Sequence, residues 1–80
     1  MYVYVIQSKK NNRFYVGLTE NVKLRFQQHN RGENRSTKAY RPWELVIKEE
    51  YTNKGVALKR ERFLKTGKGR EVIKNLLIKK

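Results

Sequence analysis

The side chains in this sequence that could carry chemistry are few, and most of them are cationic. Lys and Arg number 20 against 7 acidic residues, which gives a formal net charge of +13. The absence of cysteine and the presence of a single histidine, His29, exclude disulfides, thiolate metal sites and metal sites built on several imidazoles. So large a charge on a small protein attracts polyanions. The composition therefore favours nucleic acid as the partner over an anionic membrane.

The length of the chain limits how these side chains can be positioned. Eighty residues correspond to one small domain, which we assign to residues 1–80. The longest apolar run, residues 2–6, is much shorter than the roughly 20 residues that cross a bilayer. Residues 72–80 come nearest to a membrane-surface helix, but their apolar residues are more typical of a core. We therefore expect a soluble cytoplasmic monomer without membrane contact.

The first twenty residues predict a β-hairpin. Residues 2–7 are β-branched and aromatic on both faces, which is typical of a central strand covered on both sides. Turn-forming residues 8–12 follow, and residues 13–18 form the returning strand. Gly17, near the end of that strand, indicates either a bulge or a point where another group approaches the backbone closely.

A helix is predicted next, from about Asn21 to the residue before Gly32. Thr19 or Asn21 is the expected N-cap, and glycine is a common C-terminal stop. Arg25 and His29 lie one turn apart beside the apolar stripe of this helix, because residues four apart share a helix face.

Residues 31–43 have no hydrophobic periodicity and are predicted to form a long surface loop. Trp43, at its end, either anchors the loop to the core or stacks on a nucleic-acid base. The cations of the loop are expected to follow a phosphate backbone; they are Arg31, Arg35, Lys38 and Arg41.

The second half of the chain predicts one strand and two helices. The strand covers residues 44–51 and has Leu45 and Ile47 on one face. The first helix, capped by Thr52 or Asn53, continues to about Lys65, and its apolar positions are Val56, Leu58, Phe63 and Leu64. Gly67 and Gly69 are expected to break the chain before the last helix, which begins near Arg70. The order β-β-α-β-α-α indicates an α+β fold with a small sheet covered by helices.

Several segments together make the sequence similar to the GIY-YIG nuclease family, and the resemblance extends over nearly the whole chain. They are Tyr2-Val3-Tyr4, Tyr15-Val16-Gly17, the Arg25–His29 pair and the helix that contains Glu61. The chain most resembles the small standalone bacterial members, in which His-Asn, a basic loop ending in Arg-Pro, and Ala-Leu-Lys-Arg-Glu recur. Here these are His29-Asn30, Arg41-Pro42 and residues 57–61.

The resemblance implies a three-stranded antiparallel sheet flanked by helices, with a metal-dependent phosphodiesterase site on one side. It implies that Glu61 is the carboxylate for one Mg²⁺ or Mn²⁺ ion, and that the catalytic residues are Tyr4, Tyr15, Arg25 and His29. The sequence departs from the family pattern at Tyr2, where glycine is usual. The nearest residue to the family's late asparagine is Asn75.

These residue types suit phosphodiester hydrolysis. A single carboxylate is enough for Mg²⁺, which keeps several water ligands, and arginine presents a permanently charged fork to phosphate. Tyrosine ordinarily titrates near pH 10, so about one in a thousand is ionised at pH 7. Nearby cations must therefore lower its pKa, or His29 or the metal site must share the proton transfer. We expect one motif tyrosine, Tyr15 ahead of Tyr4, to orient or deprotonate water with help from His29.

Each of these residues also has an ordinary structural interpretation. The tyrosines could pack beneath a helix, Arg25 could be solvated, His29 could be structural, and Glu61 could pair with Arg60 or Arg62.

Taken together, the charge, the resemblance and the residue types predict a metal-dependent endonuclease acting on DNA rather than RNA, with structured or damaged DNA as the substrate. The alternative is a non-catalytic basic module that binds DNA or RNA.

Overall fold

The structure is a computed structural model that describes residues 1–78, and its elements follow the order β-β-α-β-α-α. The predicted α+β fold class is confirmed. The end of the last predicted segment, residues 79–80, lies outside the described residues. In chain order the elements are β1 (Tyr2–Ser8), β2 (Phe14–Thr19), α1 (Val22–Arg31), a 3₁₀ helix (Lys38–Tyr40), β3 (Trp43–Glu50), α2 (Lys54–Leu64) and α3 (Gly67–Ile78).

The strands form one antiparallel sheet with β1 in the middle, in the order β2-β1-β3. Both faces of β1 are buried, so that Val3, Val5 and Ile6 expose no surface. Alternation along the strand places Val3 and Val5 against α2 and α3, where they pack with Ala57, Leu64 and Ile73. The opposite face of β1 packs beneath α1 and the 31–43 segment, and its cluster is Tyr4, Ile6, Val22 and Trp43. The central position predicted for this strand is confirmed.

The prediction that Leu45 and Ile47 share a face of β3 is wrong. Val5 pairs with Ile47 whereas Ile6 pairs with Leu45, so β3 contains one extra residue, Val46, at a β-bulge. The bulge interrupts the two-residue alternation of side chains. Leu45 therefore packs in the cluster that contains Ile6, and Ile47 packs on the other face of the sheet.

Helices α1 and α2 begin where their caps predict. The Asn21 side chain accepts a hydrogen bond from the Leu24 amide at 3.0 Å, and Asn53 does the same for Val56 at 3.2 Å. Helix α1 stops at Gly32, whose φ of 80° is in the left-handed region. Asparagine at the N-cap thus defines the start of both helices.

Of the apolar positions named for α2, Leu64 is buried together with Ala57, whereas Val56 and Phe63 are 50% and 38% exposed. The predicted start of the last helix is wrong. Helix α3 begins at Gly67 instead of near residue 70, so the glycines start the helix rather than precede it. Gly69 lets the first turn of α3 lie against the end of α2, because a Cβ there would overlap the backbone of residues 63–64.

The 31–43 segment is more ordered than the predicted surface loop. It contains the 3₁₀ helix, and Thr37 is buried with 1% of its surface exposed. The Ser8 hydroxyl, next to the β1–β2 turn, donates a hydrogen bond to the Tyr40 carbonyl at 2.6 Å. The segment is therefore held against the end of the hairpin. None of the helices in residues 1–78 is both long enough and apolar enough to cross a membrane.

Candidate active site

Three aromatic side chains meet on the face of the sheet that α1 covers. The ring centroids of Tyr15 and His29 are 5.0 Å apart, those of Tyr4 and His29 5.8 Å, and those of Tyr4 and Tyr15 6.5 Å. The Tyr4 phenol oxygen lies 2.8 Å from His29 Nε2. Neighbouring antiparallel strands place the two tyrosines on the same face, since Ile6 pairs with Tyr15 and Tyr4 pairs with Gly17.

Gly17 makes room for the Tyr4 side chain. A Cβ at this position would overlap the phenol ring of Tyr4, so no other residue fits here without displacing it. Pairing between β1 and β2 is regular along its length. Of the two roles that the sequence predicts for Gly17, close approach of another group is therefore the one observed. The Tyr4 ring lies over β2, which is an edge strand of the sheet.

The guanidinium of Arg25 is next to this aromatic cluster. Arg25 is half-buried, and its Nη1 donates a hydrogen bond to Gln28 Oε1 at 3.1 Å. Its positive charge contributes to a lowered pKa at His29, and its charge and hydrogen bonding favour the phenolate form of Tyr4. Arg25, His29 and Tyr4 therefore form one electrostatic unit.

The phenol of Tyr4 is nevertheless harder to ionise than an ordinary tyrosine. Burial is the largest cause, and together with the Tyr15 phenol it raises the pKa of Tyr4 to about 12 despite the opposing effect of Arg25. For a tyrosine to act near neutral pH, nearby cations must lower its pKa or another group must share the proton transfer. At Tyr4 the cations do not achieve this, because desolvation outweighs them. Sharing the proton transfer with His29 or with the metal site remains open to this residue, and His29 is the group that its hydroxyl contacts.

His29 is neutral at neutral pH. Burial is the main cause, followed by the charge of Arg25, and together they lower the pKa of His29 to about 4. A neutral imidazole has one donor and one acceptor nitrogen. Nδ1 lies 2.8 Å from the Thr37 hydroxyl oxygen, and that hydroxyl donates to the Asn34 carbonyl at 3.4 Å. We therefore assign the proton to Nδ1, which leaves Nε2 to accept the hydrogen bond from Tyr4.

Glu61 approaches the site from α2. It lies one turn after Ala57 and three residues before Leu64, on the stripe of α2 that faces the sheet, and its side chain is 15% exposed. Its negative charge helps to raise the pKa of Tyr4, so the carboxylate is within electrostatic reach of that phenol. Its ion-pair partner is the exposed Lys65, one turn further along, with 3.5 Å between Oε2 and Nζ.

The alternative pairing of Glu61 with a neighbouring arginine is not observed. Arg60 forms a two-pronged contact with Glu49, with Nε 3.0 Å from Oε1 and Nη2 3.1 Å from Oε2. Arg62 forms no ion pair within residues 1–78. An ion pair between Glu61 and an exposed lysine four residues further along the helix contributes little to stability. Pairing alone therefore does not account for the half-buried position of Glu61.

The donor set at this site suits a hydrated divalent cation rather than one enclosed by protein ligands. Among the described residues no group of three or more histidine or acidic side chains lies close enough to form a metal centre. Glu61 is a hard oxygen donor with only a weakly held partner, and Mg²⁺ typically keeps several waters beside one or two carboxylates. One ion held through Glu61, water and a substrate phosphate fits these residues.

Comparison with known proteins agrees with this arrangement. A family model described as the GIY-YIG catalytic domain matches residues 1–74. This chain belongs to the GIY-YIG family. It is 41% identical over 66 residues to a UPF0213 protein of Staphylococcus haemolyticus and 39% identical to one of Staphylococcus aureus, covering 81% of this chain and 79% of each relative. No solved structure matches the chain. The resemblance drawn from the sequence is thereby confirmed, and the catalytic domain of this family is of the nuclease type.

The cations predicted to contact nucleic acid lie at the surface of this GIY-YIG domain. Arg31 forms an ion pair with Glu33. The other three, Arg35, Lys38 and Arg41, line a shallow depression of about 640 Å³ together with Lys10. Arg41 Nε also donates to the Lys38 carbonyl at 2.9 Å, which fixes the Arg41 side chain against the backbone of the 3₁₀ helix. Their role in binding nucleic acid remains a prediction.

Two other residues noted in the sequence occupy clear positions. Trp43 is 4% exposed, and its indole N–H donates to the Thr37 carbonyl at 2.9 Å, so it anchors the segment rather than offering a face to a base. Asn75, the nearest residue to the family's late asparagine, is exposed on α3.

The sequence analysis missed Thr37 and Asn30. Thr37 is the buried partner of His29, and the Asn30 side chain bridges α1 to β3 by accepting from the Trp43 amide at 2.6 Å and donating to its carbonyl at 3.0 Å. A threonine in an aperiodic basic segment gives no pattern that indicates burial. The asparagine directly after His29 is the one signal that was available, since the His-Asn pair recurs in the relatives that the sequence resembles.

We expect the buried, neutral His29 to make the protein less stable in mild acid. Its folded-state pKa of about 4 lies below the ordinary 6.5, so between these values the unfolded chain binds a proton that the folded chain does not. The free energy of unfolding should therefore fall as the pH decreases through this window, by about 2 kcal/mol between pH 7 and pH 5. Urea unfolding at both pH values measures this loss.

The matched control for that experiment is His29→Gln, which keeps polar atoms at this position but does not titrate. Subtracting its pH dependence removes the contribution of the carboxylates. The same loss in wild type and variant would show that His29 does not carry this pH dependence.

Proposed function

We propose that this protein is a divalent-metal-dependent endonuclease that hydrolyses phosphodiester bonds in DNA. One observation carries the proposal: two phenols and a neutral imidazole are packed together, with a guanidinium and a half-buried carboxylate in electrostatic reach. Binding alone would need none of these groups in this arrangement. The net charge of +13 supports a polyanionic substrate.

In the proposed mechanism Arg25 holds the phosphate and neutralises charge that develops on its oxygens. Arginine suits this role because its planar fork matches two phosphate oxygens and stays charged at any working pH. Arg25 also adjoins Tyr4 and His29, so a phosphate bound to it lies next to the groups that handle the proton.

Tyr15 and Tyr4 have different tasks in this mechanism. The Tyr15 hydroxyl has no hydrogen-bond partner within residues 1–78, so it is available to orient the attacking water. The Tyr4 hydroxyl donates to His29, and its oxygen can therefore accept a proton from water as its own proton passes to Nε2. This relay avoids a free phenolate at Tyr4, and a negatively charged phosphate bound to Arg25 would offset the positive charge that helps to lower the pKa of His29.

Glu61 is proposed to hold one Mg²⁺ or Mn²⁺ ion. When bound, such an ion supplies Lewis-acid stabilisation of the negative charge that builds up on the phosphate and the leaving oxygen. The chain's own contribution is a carboxylate held on the sheet-facing side of α2.

The proposal is tested by metal removal. End-labelled single-stranded, duplex and branched DNA, together with a matched RNA set, are incubated with the protein in Mg²⁺, in Mn²⁺ or in EDTA. We expect cleavage of at least one DNA structure with a divalent ion and none in EDTA. Without the ion, several kcal/mol of stabilisation of the charge in the transition state would be lost. Binding without cleavage under every metal would instead support the non-catalytic module, and preferential cutting of RNA would reassign the substrate.

The finer parts of the proposal concern substrate form, assembly and location. We propose structured or damaged DNA as the substrate and a monomer as the active form. The proposed location is the cytoplasm. The basic depression lined by Arg35, Lys38 and Arg41 supports the alternative of a binding module, because it needs no catalytic group to hold a phosphate backbone.

A further inference from the structure

A cleft of about 450 Å³ begins at Tyr15 and is distinct from the basic depression of the 31–43 segment. It lies between the β1–β2 turn, the 3₁₀ helix and α3. Because Tyr15 pairs with Ile6 and Tyr4 pairs with Gly17, the cleft extends along β2 away from Tyr4 and toward the turn. It therefore continues the candidate active site in one direction.

Three cations surround this cleft. Arg13 comes from the β1–β2 turn, and Arg70 and Lys74 lie one turn apart on α3, so they point from the same helix face. All three are exposed, and within the described part of the chain none of them forms an ion pair. Their charges are therefore available to an anionic ligand.

One wall of the cleft is planar and aromatic. The guanidinium carbon of Arg13 lies 5.5 Å from the centroid of the Tyr40 ring, and Arg13 Nη1 donates to the Tyr40 hydroxyl at 3.4 Å. Tyr15 forms part of the lining next to the candidate site. Unpaired bases stack on aromatic rings and on the planar guanidinium of arginine, and this stacking does not depend on which base is present.

We propose that this cleft holds one unpaired nucleotide of the substrate, adjacent to the phosphodiester that is cut. Its base would stack against the Arg13–Tyr40 wall, and its phosphate would contact Arg70 and Lys74. The cleft has the volume of a small-ligand site, and a base that is paired and stacked inside a duplex cannot enter it. The inference rests on the proposed function, since it takes nucleic acid as the ligand, and it adds a preference for unpaired DNA at the cutting position.

The test compares binding of two oligonucleotides without metal, so that no cleavage occurs. A fluorescein-labelled 12-nucleotide single strand and the blunt duplex of the same sequence are titrated in EDTA. The variants are Arg70→Gln with Lys74→Gln, and the matched control Lys54→Gln with Lys59→Gln, which removes two exposed charges of α2 outside the cleft.

We expect the cleft variant to bind the single strand about tenfold more weakly than wild type and the duplex within about threefold, because only an unpaired base reaches the cleft. The control should weaken both ligands equally and by less. Tyr40→Leu, which removes the stacking ring but no charge, should weaken single-strand binding alone. Because Tyr40 is half-buried, the circular dichroism spectrum of the Tyr40→Leu variant is recorded as a check on folding. If that variant does not fold, the Arg70→Gln, Lys74→Gln variant and its control decide whether the cleft binds the nucleotide.

Equal losses for both ligands in the cleft variant, or losses that match the control, would overturn the inference. These outcomes leave the proposed nuclease activity intact, because cleavage is measured separately with metal. Wild-type protein that binds the single strand through the cleft but cuts nothing would defeat the nuclease and keep the nucleotide site. Binding to neither oligonucleotide would overturn the nucleotide site, and the cleavage assay with metal would decide the nuclease separately.

Discussion

Glu61→Gln is expected to lower the rate of DNA cleavage by about three orders of magnitude while DNA affinity stays within about threefold. Glutamine keeps the shape of the side chain but removes the charge that holds the divalent ion. The loss of charge stabilisation by a metal is worth several kcal/mol, and each 1.36 kcal/mol in the barrier is a tenfold change in rate. Affinity is spared because it comes from cations elsewhere on the surface.

Single-turnover cleavage at saturating protein measures the rate, and fluorescence anisotropy in EDTA measures affinity. Glu44→Gln is the matched control, since Glu44 is exposed on β3 and makes no part of the site. The variant should also lose the response of the rate to rising Mg²⁺ or Mn²⁺ concentration. If the Glu61→Gln variant cleaves DNA at the wild-type rate, the proposed role of this carboxylate is ruled out.

The second large effect concerns the two tyrosines, which we expect to respond differently to the loss of their hydroxyls. Tyr15→Phe should reduce turnover by about a hundredfold without changing stability, because its ring contacts with His29 and Trp43 remain. Tyr4→Phe should reduce turnover similarly but also lower the free energy of unfolding by about 1–3 kcal/mol. It leaves the buried His29 Nε2 without its hydrogen-bond donor.

These variants are compared by single-turnover cleavage, anisotropy and urea unfolding. Tyr2→Phe is the control, because among residues 1–78 its hydroxyl bonds only to Glu50, at 3.4 Å and at the surface. We expect DNA affinity to stay near wild type in all three variants. Equal losses of affinity and turnover would contradict a chemical role for either phenol, and a Tyr15→Phe variant with full activity would move the water-orienting role to another group.

The local sequence was sufficient to predict most of the elements. The continuous run of β-branched and aromatic residues at 2–6 predicts a strand buried on both faces, and asparagine caps together with Gly32 define α1 and the start of α2. These features depend on interactions within a few residues of the chain, so they can be predicted without tertiary structure. The family resemblance likewise depends on residue types and spacing, and it indicated which side chains to examine.

Only the tertiary structure determined how the candidate site is tuned. The bulge at Val46 places Leu45 and Ile47 on opposite faces of β3, and Gly69 in the first turn of α3 has no room for a side chain because the end of α2 lies too close. The high pKa of Tyr4 and the Thr37 hydrogen bond that assigns the His29 tautomer arise from groups distant in the chain that desolvate or bond one another. Burial and long-range contacts of this kind are properties of the packed molecule, and no local pattern of residues encodes them.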